Sequence, residues 1–142
     1  MANTVAPTKN FQTTPVLNVA GAAFGTSGSP NVTDAVDLGA TNQAEFYIKY
    51  VQDTLTALNI IVEVSPDKVN WFQKSLLNIG GGAASGLNWA MPLYAALFQM
   101  TASGSLVLDL PVAHGWARLR VWGTGSAASD DSVSILYGGG AI

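Results

Sequence analysis

The sequence predicts an all-β protein, an antiparallel, jelly-roll-like β-sandwich of about eight strands with an extended N-terminal arm. Three observations lead there. Apolar residues recur at every second position rather than at helical spacing. Short turns rich in Gly, Ser, Pro and Asp separate the alternating segments. The chain has 142 residues and no cysteine, and a chain of that length buries roughly 70% of its unfolded surface without needing disulfides.

The first part of the chain differs from the rest. Pro7, Pro15, Pro30 and the glycine- and serine-rich run 25–29 interrupt any long element. Residues 1–33 therefore read as an arm around one short strand over 16–19, and residues 34–142 as the sandwich. A weak strand is expected over 35–38. Over 45–50, Phe46, Ile48 and Tyr50 alternate with Glu45, Tyr47 and Lys49. The clearest segment is 58–65, where Leu58, Ile60, Val62 and Val64 share one face of a half-buried strand. Ser65-Pro66-Asp67-Lys68 then supplies a turn, since proline presets φ and aspartate tolerates turn geometry. The chain returns over 69–73 as the second arm of a hairpin.

Residues 93–100 admit two readings. Leu93, Ala96, Leu97 and Met100 stand at helical spacing behind Pro92. The segment leads through Ala102-Ser103-Gly104 into the next strand, however, and a strand suits that connection better. Over 105–110 Leu106, Leu108 and Leu110 share a side. Over 117–122 Ala117, Leu119 and Val121 oppose Arg118, Arg120 and Trp122, and over 132–137 Val133, Ile135 and Tyr137 align. The glycine runs 80–82 and 138–140 read as flexible connectors, the second leaving a nearly unstructured tail. No internal repeat suggests a propeller or solenoid.

Composition bounds the function. Charged residues make up 11% of the chain and hydrophobic ones 49%, against a usual charged share of about 25%. The intervals 10–33 and 75–108 carry no charge. A surface so poor in charge is expected to be covered in part by other subunits. The net charge of −3 argues against nucleic acid as a partner, which would need phosphate neutralisation. The best apolar stretch, 87–100, is too short for a spanning helix and contains Asn88, Pro92 and Gln99, so no membrane partner is expected. The opening Met1-Ala2-Asn3-Thr4 has neither a basic region nor an apolar run, and no secretory signal is expected.

Catalytic chemistry finds little support. His114, Asp109 and a serine are the ingredients of a nucleophilic triad, but no strand–turn–helix elbow accompanies them. His114 reads as a loop residue between two strands. Asp67, Asp130 and Asp131 offer oxygen ligands for calcium, at a spacing that fits no known loop. Neither glycine run is followed by the Lys-Ser/Thr of a phosphate loop. No enzyme activity, cofactor or metal is expected.

The aromatic residues carry more information. Trp71 follows the hairpin turn, Trp89 lies in a charge-free interval, and Trp116 and Trp122 flank the two arginines. Arg118, Arg120 and Trp122 share one strand face, which is a solvated or core face, a contact ridge, or an aromatic row for stacking sugars. Trp and Arg are enriched at protein interfaces. The candidate protein contacts are Phe11 in the arm, Trp89, Leu93, Tyr94 and Phe98 in the apolar interval, and Arg118, Arg120 and Trp122.

Two segments carry a resemblance. VEVSPDKVNWF (62–72) is a strand, a turn and an aromatic strand. LPVAHGWARLRVWGTG (110–125) is a proline-led loop, an R-x-R-V strand and a Gly-Thr-Gly turn. Together with the low charge, they resemble tailed-bacteriophage capsid cement (decoration) proteins of jelly-roll type, over roughly 58–137. The motifs describe a style of sandwich and transfer no functional residue. The resemblance implies a non-catalytic virion protein on the outer surface of a capsid, made in the host cytoplasm. Its partners would be the major capsid protein and itself, as a dimer or trimer. A glycan-binding or fibre-type β-sandwich module is the alternative, which the same residues permit.

Overall fold

Each alternating segment has one apolar face, and two sheets laid face to face bury all of those faces at once. In the computed structural model the described residues are 8–11, 15–39, 43–74, 97–110 and 115–141. They form eleven strands: β1 (Thr8–Phe11), β2 (Leu17–Ala20), β3 (Asn31–Val32), β4 (Val36–Asp37), β5 (Gln43–Val51), β6 (Ala57–Ser65), β7 (Phe72–Gln73), β8 (Leu97–Met100), β9 (Gly104–Leu110), β10 (Trp116–Thr124) and β11 (Ser132–Ala141). A 3-10 turn spans Gly21–Ala23. Among the described residues no helix is long and apolar enough to cross a membrane.

The strands make two antiparallel sheets. In the first, β11 lies between β5 and a split strand made of β1 and β2, and β9 flanks β5. In the second, β10 lies between β6 and the split strand β3 and β4, and β7 and β8 share the far edge of β6. Each split pair fills one strand position, so the sandwich has about eight positions in two sheets, the plan of a jelly roll. With strands that share an edge position counted as one, the chain passes between the sheets at each connection except the β6–β7 hairpin.

The core follows the period of two. Phe46, Ile48 and Tyr50 from β5 meet Leu58, Ile60, Val62 and Val64 from β6, with Leu119, Val121, Val133 and Ile135 completing the layer, all buried. Burying one such side chain contributes about 1.5–3 kcal/mol. The rings of Phe46 and Tyr137 meet tilted, 5.8 Å apart.

Three segments depart from the expectations. The run 138–140 is not a loose connector, because β11 continues through it with β1 on one edge and β5 on the other. Pairing on both edges compensates for the missing side chains, and glycine suits strands that approach closely. The stretch expected as an arm with one short strand supplies β1, β2 and β3, which pair into both sheets. The return arm of the hairpin, expected over 69–73, is reduced to β7, since the preceding residues are taken up by the turn. Residues 97–100 of the ambiguous stretch form a strand, and 93–96 lie outside the described residues.

Side chains secure the places where the ladders break. Between β3 and β4, Thr33, Asp34 and Ala35 oppose only Arg118 and Leu119, a bulge. Buried Thr33 bridges it: its N–H donates to the Leu119 carbonyl at 2.9 Å, and its Oγ1 accepts the Leu119 N–H at 2.9 Å. Asp131, 0% exposed, ties the connection before β6 to the start of β11. Its carboxylate accepts the N–H groups of Asp53 (2.6 Å), Leu55 (3.1 Å), Thr54 (3.1 Å) and Ala128 (2.7 Å), and the Thr54 hydroxyl at 2.8 Å. Burial alone would raise its pKa; the hydrogen bonds outweigh it and hold the carboxyl well below the usual carboxylate range.

Candidate interaction surface

Alternation along β10 turns Ala117, Leu119, Val121 and Gly123 into the core and leaves Trp116, Arg118, Arg120 and Trp122 half-buried on the outer face of the second sheet. The register sets Arg118 opposite Glu63, Arg120 opposite Ile61 and Trp122 opposite Asn59 on β6. Arg118, Arg120 and Trp122 thus share one ridge, as the spacing predicts.

Glu63 organises this ridge. Its side chain is 10% exposed; Arg118 Nε donates to Oε1 at 2.8 Å, and Arg120 Nη1 lies 3.7 Å from Oε2. The Arg118 guanidinium also lies over the Trp71 ring, 4.1 Å from its centroid, and Lys68 Nζ lies 4.7 Å from that of Trp116. Arg118 is therefore held by a carboxylate and a ring together. At this longer contact the Arg120 side chain remains 36% exposed, and its guanidinium has more donors than the one facing Glu63. Two guanidinium groups face one carboxylate, so the ridge is net positive within an acidic chain. Beside Trp122, Asn59 Nδ2 donates to the Trp122 carbonyl (3.3 Å) and Thr124 Oγ1 (2.8 Å), while Asn59 Oδ1 accepts from Gln99 at 2.9 Å.

The turn between β6 and β7 borders the ridge. Asp67 Oδ1 accepts the N–H groups of Asn70 (2.7 Å) and Val69 (2.9 Å) and the Ser65 hydroxyl (3.0 Å), and Oδ2 accepts Asn70 Nδ2 (2.6 Å). The Asn70 and Val69 N–H bonds are the main reason its carboxyl lies well below the usual range. Lys68, with φ 63°, takes the left-handed conformation that completes the turn.

The other candidates are dispersed. Phe98 lies opposite Ile60 and packs, partly buried, against the core. Its phase on β8 matches an inward residue, so it flanks the core instead of joining the ridge. Phe11 pairs through its backbone with Gly138 at the edge of the first sheet. Trp89, Leu93, Tyr94 and His114 lie outside the described residues. The calcium grouping fails on geometry: Asp131 binds the connection before β6 and Asp67 follows its end, about 25 Å apart at the rise of a nine-residue strand. The oxygens of both already accept N–H groups. Trp71 and Lys68 were read from the sequence only as parts of the hairpin and not as contacts, and Glu63 was not picked out, although it is the one charge on the outer phase of β6.

The sequence matches no family model and no curated protein sequence. Among solved structures, the chain is similar to the SPBc2 prophage-derived protein YomS, with a TM-score of 0.51 and 12% identity over 99% of both chains. A Triatoma virus structure aligns with a TM-score of 0.46 and 8% identity, over 96% of this chain and 63% of that one, a likeness too slight to carry an argument. At 12% identity the first likeness is one of fold, and it spans the whole sandwich.

Proposed function

We propose that this chain is a structural virion protein that binds the outside of a phage capsid and cements neighbouring major capsid subunits, without catalysis. The observation that carries the reading is the ridge: Arg118, Arg120 and Trp122, backed by Glu63 and Trp71, on the outer face of one sheet. Trp and Arg are the residue types that dominate interface energetics. Because Glu63 and Trp71 already hold Arg118, less side-chain freedom is lost when a partner covers it. Arg120 directs donors toward a carboxylate on the shell, where paired hydrogen bonds add orientation as well as energy.

The fold and the scarcity of charge support the same reading. A jelly roll similar in fold to a prophage-derived protein presents two broad outer faces. Covering a face with few charges involves little desolvation of ions. Apolar burial contributes about 25 cal/mol per Å², and the cost of association offsets much of it. Repetition around a shell then makes modest contacts sufficient. In this reading the protein is made in the host cytoplasm and ends on the outer surface of the particle.

Co-sedimentation with shells that lack the protein tests the proposal. The double variant Arg120→Ala/Trp122→Ala should fold as the parent does, by far-ultraviolet circular dichroism, and lose attachment. Undiminished attachment would refute the assignment of the ridge. The half-buried Trp122 beside the Asn59–Gln99 pair favours one alternative, a glycan-binding or fibre-type module. Those amides are already bonded to each other and to Thr124, which leaves them fewer groups for a sugar. Glycan-array binding abolished by Trp122→Ala would establish the alternative.

A further inference from the structure

Exposed apolar side chains among the described residues include two groups outside the ridge. One is the tip of the β6–β7 hairpin, where Val69 is 76% and Phe72 59% exposed. Hydrogen bonds from Val69, Asn70 and Ser65 to Asp67 fix the turn that carries Val69, and pairing with Val64 holds the Phe72 backbone on β7 beside it. A rigid turn that holds apolar groups in water is pre-organised for a partner. The other is a shallow hollow of about 280 Å³ on the outer face of the first sheet, lined by Tyr47, Lys49, Ser105, Val107, Ser134 and Leu136 and large enough for an aromatic side chain.

Charge distinguishes tip from hollow. At one end of the hollow Glu45 stands directly opposite Asp109 on the neighbouring strand. Like charges in that position repel, and among the described residues neither is ion-paired with a basic side chain. Burial, then the charge of Glu45 and its hydrogen bond to the phenol, and last the Asp109 charge raise the Tyr47 pKa above its ordinary value. Residues 65–74 of the hairpin carry Lys68 and Lys74 against Asp67, a net +1, while Glu45 and Asp109 against Lys49 give the hollow a net −1.

We propose that copies of this chain associate head to tail, the Val69/Phe72 tip of one seating in the Tyr47/Val107/Leu136 hollow of the next. The proposal rests on the self-association expected of a cement protein and specifies which surfaces meet. Tip and hollow belong to different sheets, so the contact is between unlike surfaces. Such contacts close into rings when the rotation permits and otherwise continue as open chains. The Lys68 end of the tip would then approach the Glu45–Asp109 pair.

Analytical ultracentrifugation without shells tests this. The wild-type chain should sediment as an oligomer of three or more copies. Val69→Ser/Phe72→Ser removes the tip and Val107→Lys blocks the hollow; each should be monomeric, and all these positions are exposed enough for the fold to persist. An equimolar mixture of the two variants retains one intact tip and one intact hollow per pair and should form a two-chain complex that goes no further. A monomeric wild type, an oligomer that survives in either variant, or a mixture that stays monomeric would each overturn the proposal. Shell attachment is measured separately: a failure here with attachment intact refutes only the head-to-tail contact.

Discussion

Replacing Asp131 by alanine should be the most damaging single change in the described structure outside the apolar core. The carboxylate is completely buried and accepts hydrogen bonds from five donors, four of them backbone N–H groups that precede β6 or β11. The Leu55 N–H is deeply buried and would be left without a partner, which costs about 1–3 kcal/mol. The other donors lie nearer water and recover part of their loss. Together the change should remove about 3–5 kcal/mol, or roughly 10 °C in Tm for a domain of this size. Asp131→Asn keeps one acceptor oxygen and should cost about half as much. Urea unfolding at neutral pH, followed by tryptophan fluorescence, measures both. A loss below about 1 kcal/mol for Asp131→Ala would mean that the buried carboxylate does not secure this connection.

Acid should act through the same group. The folded pKa of Asp131 is depressed, so its contribution to stability is complete above the unfolded value near 3.9 and declines as the pH falls toward the lower folded value. Urea midpoints should hold steady down to about pH 4 and drop below it, more steeply for the wild type than for Asp131→Asn; parallel curves would contradict the assignment. Gly25→Ala should destabilise by about 1–3 kcal/mol, because its Cβ would lie 2.6 Å from the Asn31 nitrogen and the Ser29 oxygen. Gly28→Ala, with nothing within 4 Å, should be nearly neutral, and thermal melts of the pair make the comparison. Glu63→Gln should weaken the hold on Arg118 and Arg120 by about 1–3 kcal/mol, measured as stability, with most of the loss absent when both arginines are already alanine.

The sandwich was legible because its long strands alternate with little interruption. Leu58, Ile60, Val62 and Val64 are buried as their phase requires, and so are Phe46, Ile48, Tyr50, Val133, Ile135 and Tyr137. Phase also brought Arg118, Arg120 and Trp122 onto one outer face. Local pattern could not show which strand lies beside which. Gly138 to Gly140 look like a linker until β1 and β5 are seen to pair on either side. Of the short strands before residue 33, the one expected over 16–19 is β2, whereas β1 and β3 are defined by their partners β11 and β10 and nothing in their own composition announces them. Asp131 is equally opaque, since its donors Asp53, Thr54 and Leu55 lie more than seventy residues away in sequence. The ridge was half visible: the arginines were apparent, whereas the Glu63 and Trp71 that position them come from another strand and a turn.

Electron cryomicroscopy of particles reconstituted from bare shells and this protein bears most directly on the cementing role. Density for the sandwich should lie on the exterior, across junctions between major capsid subunits, with Arg120 and Trp122 turned toward the shell. Bare shells after incubation, or bound copies with that face directed to solvent, would contradict that role.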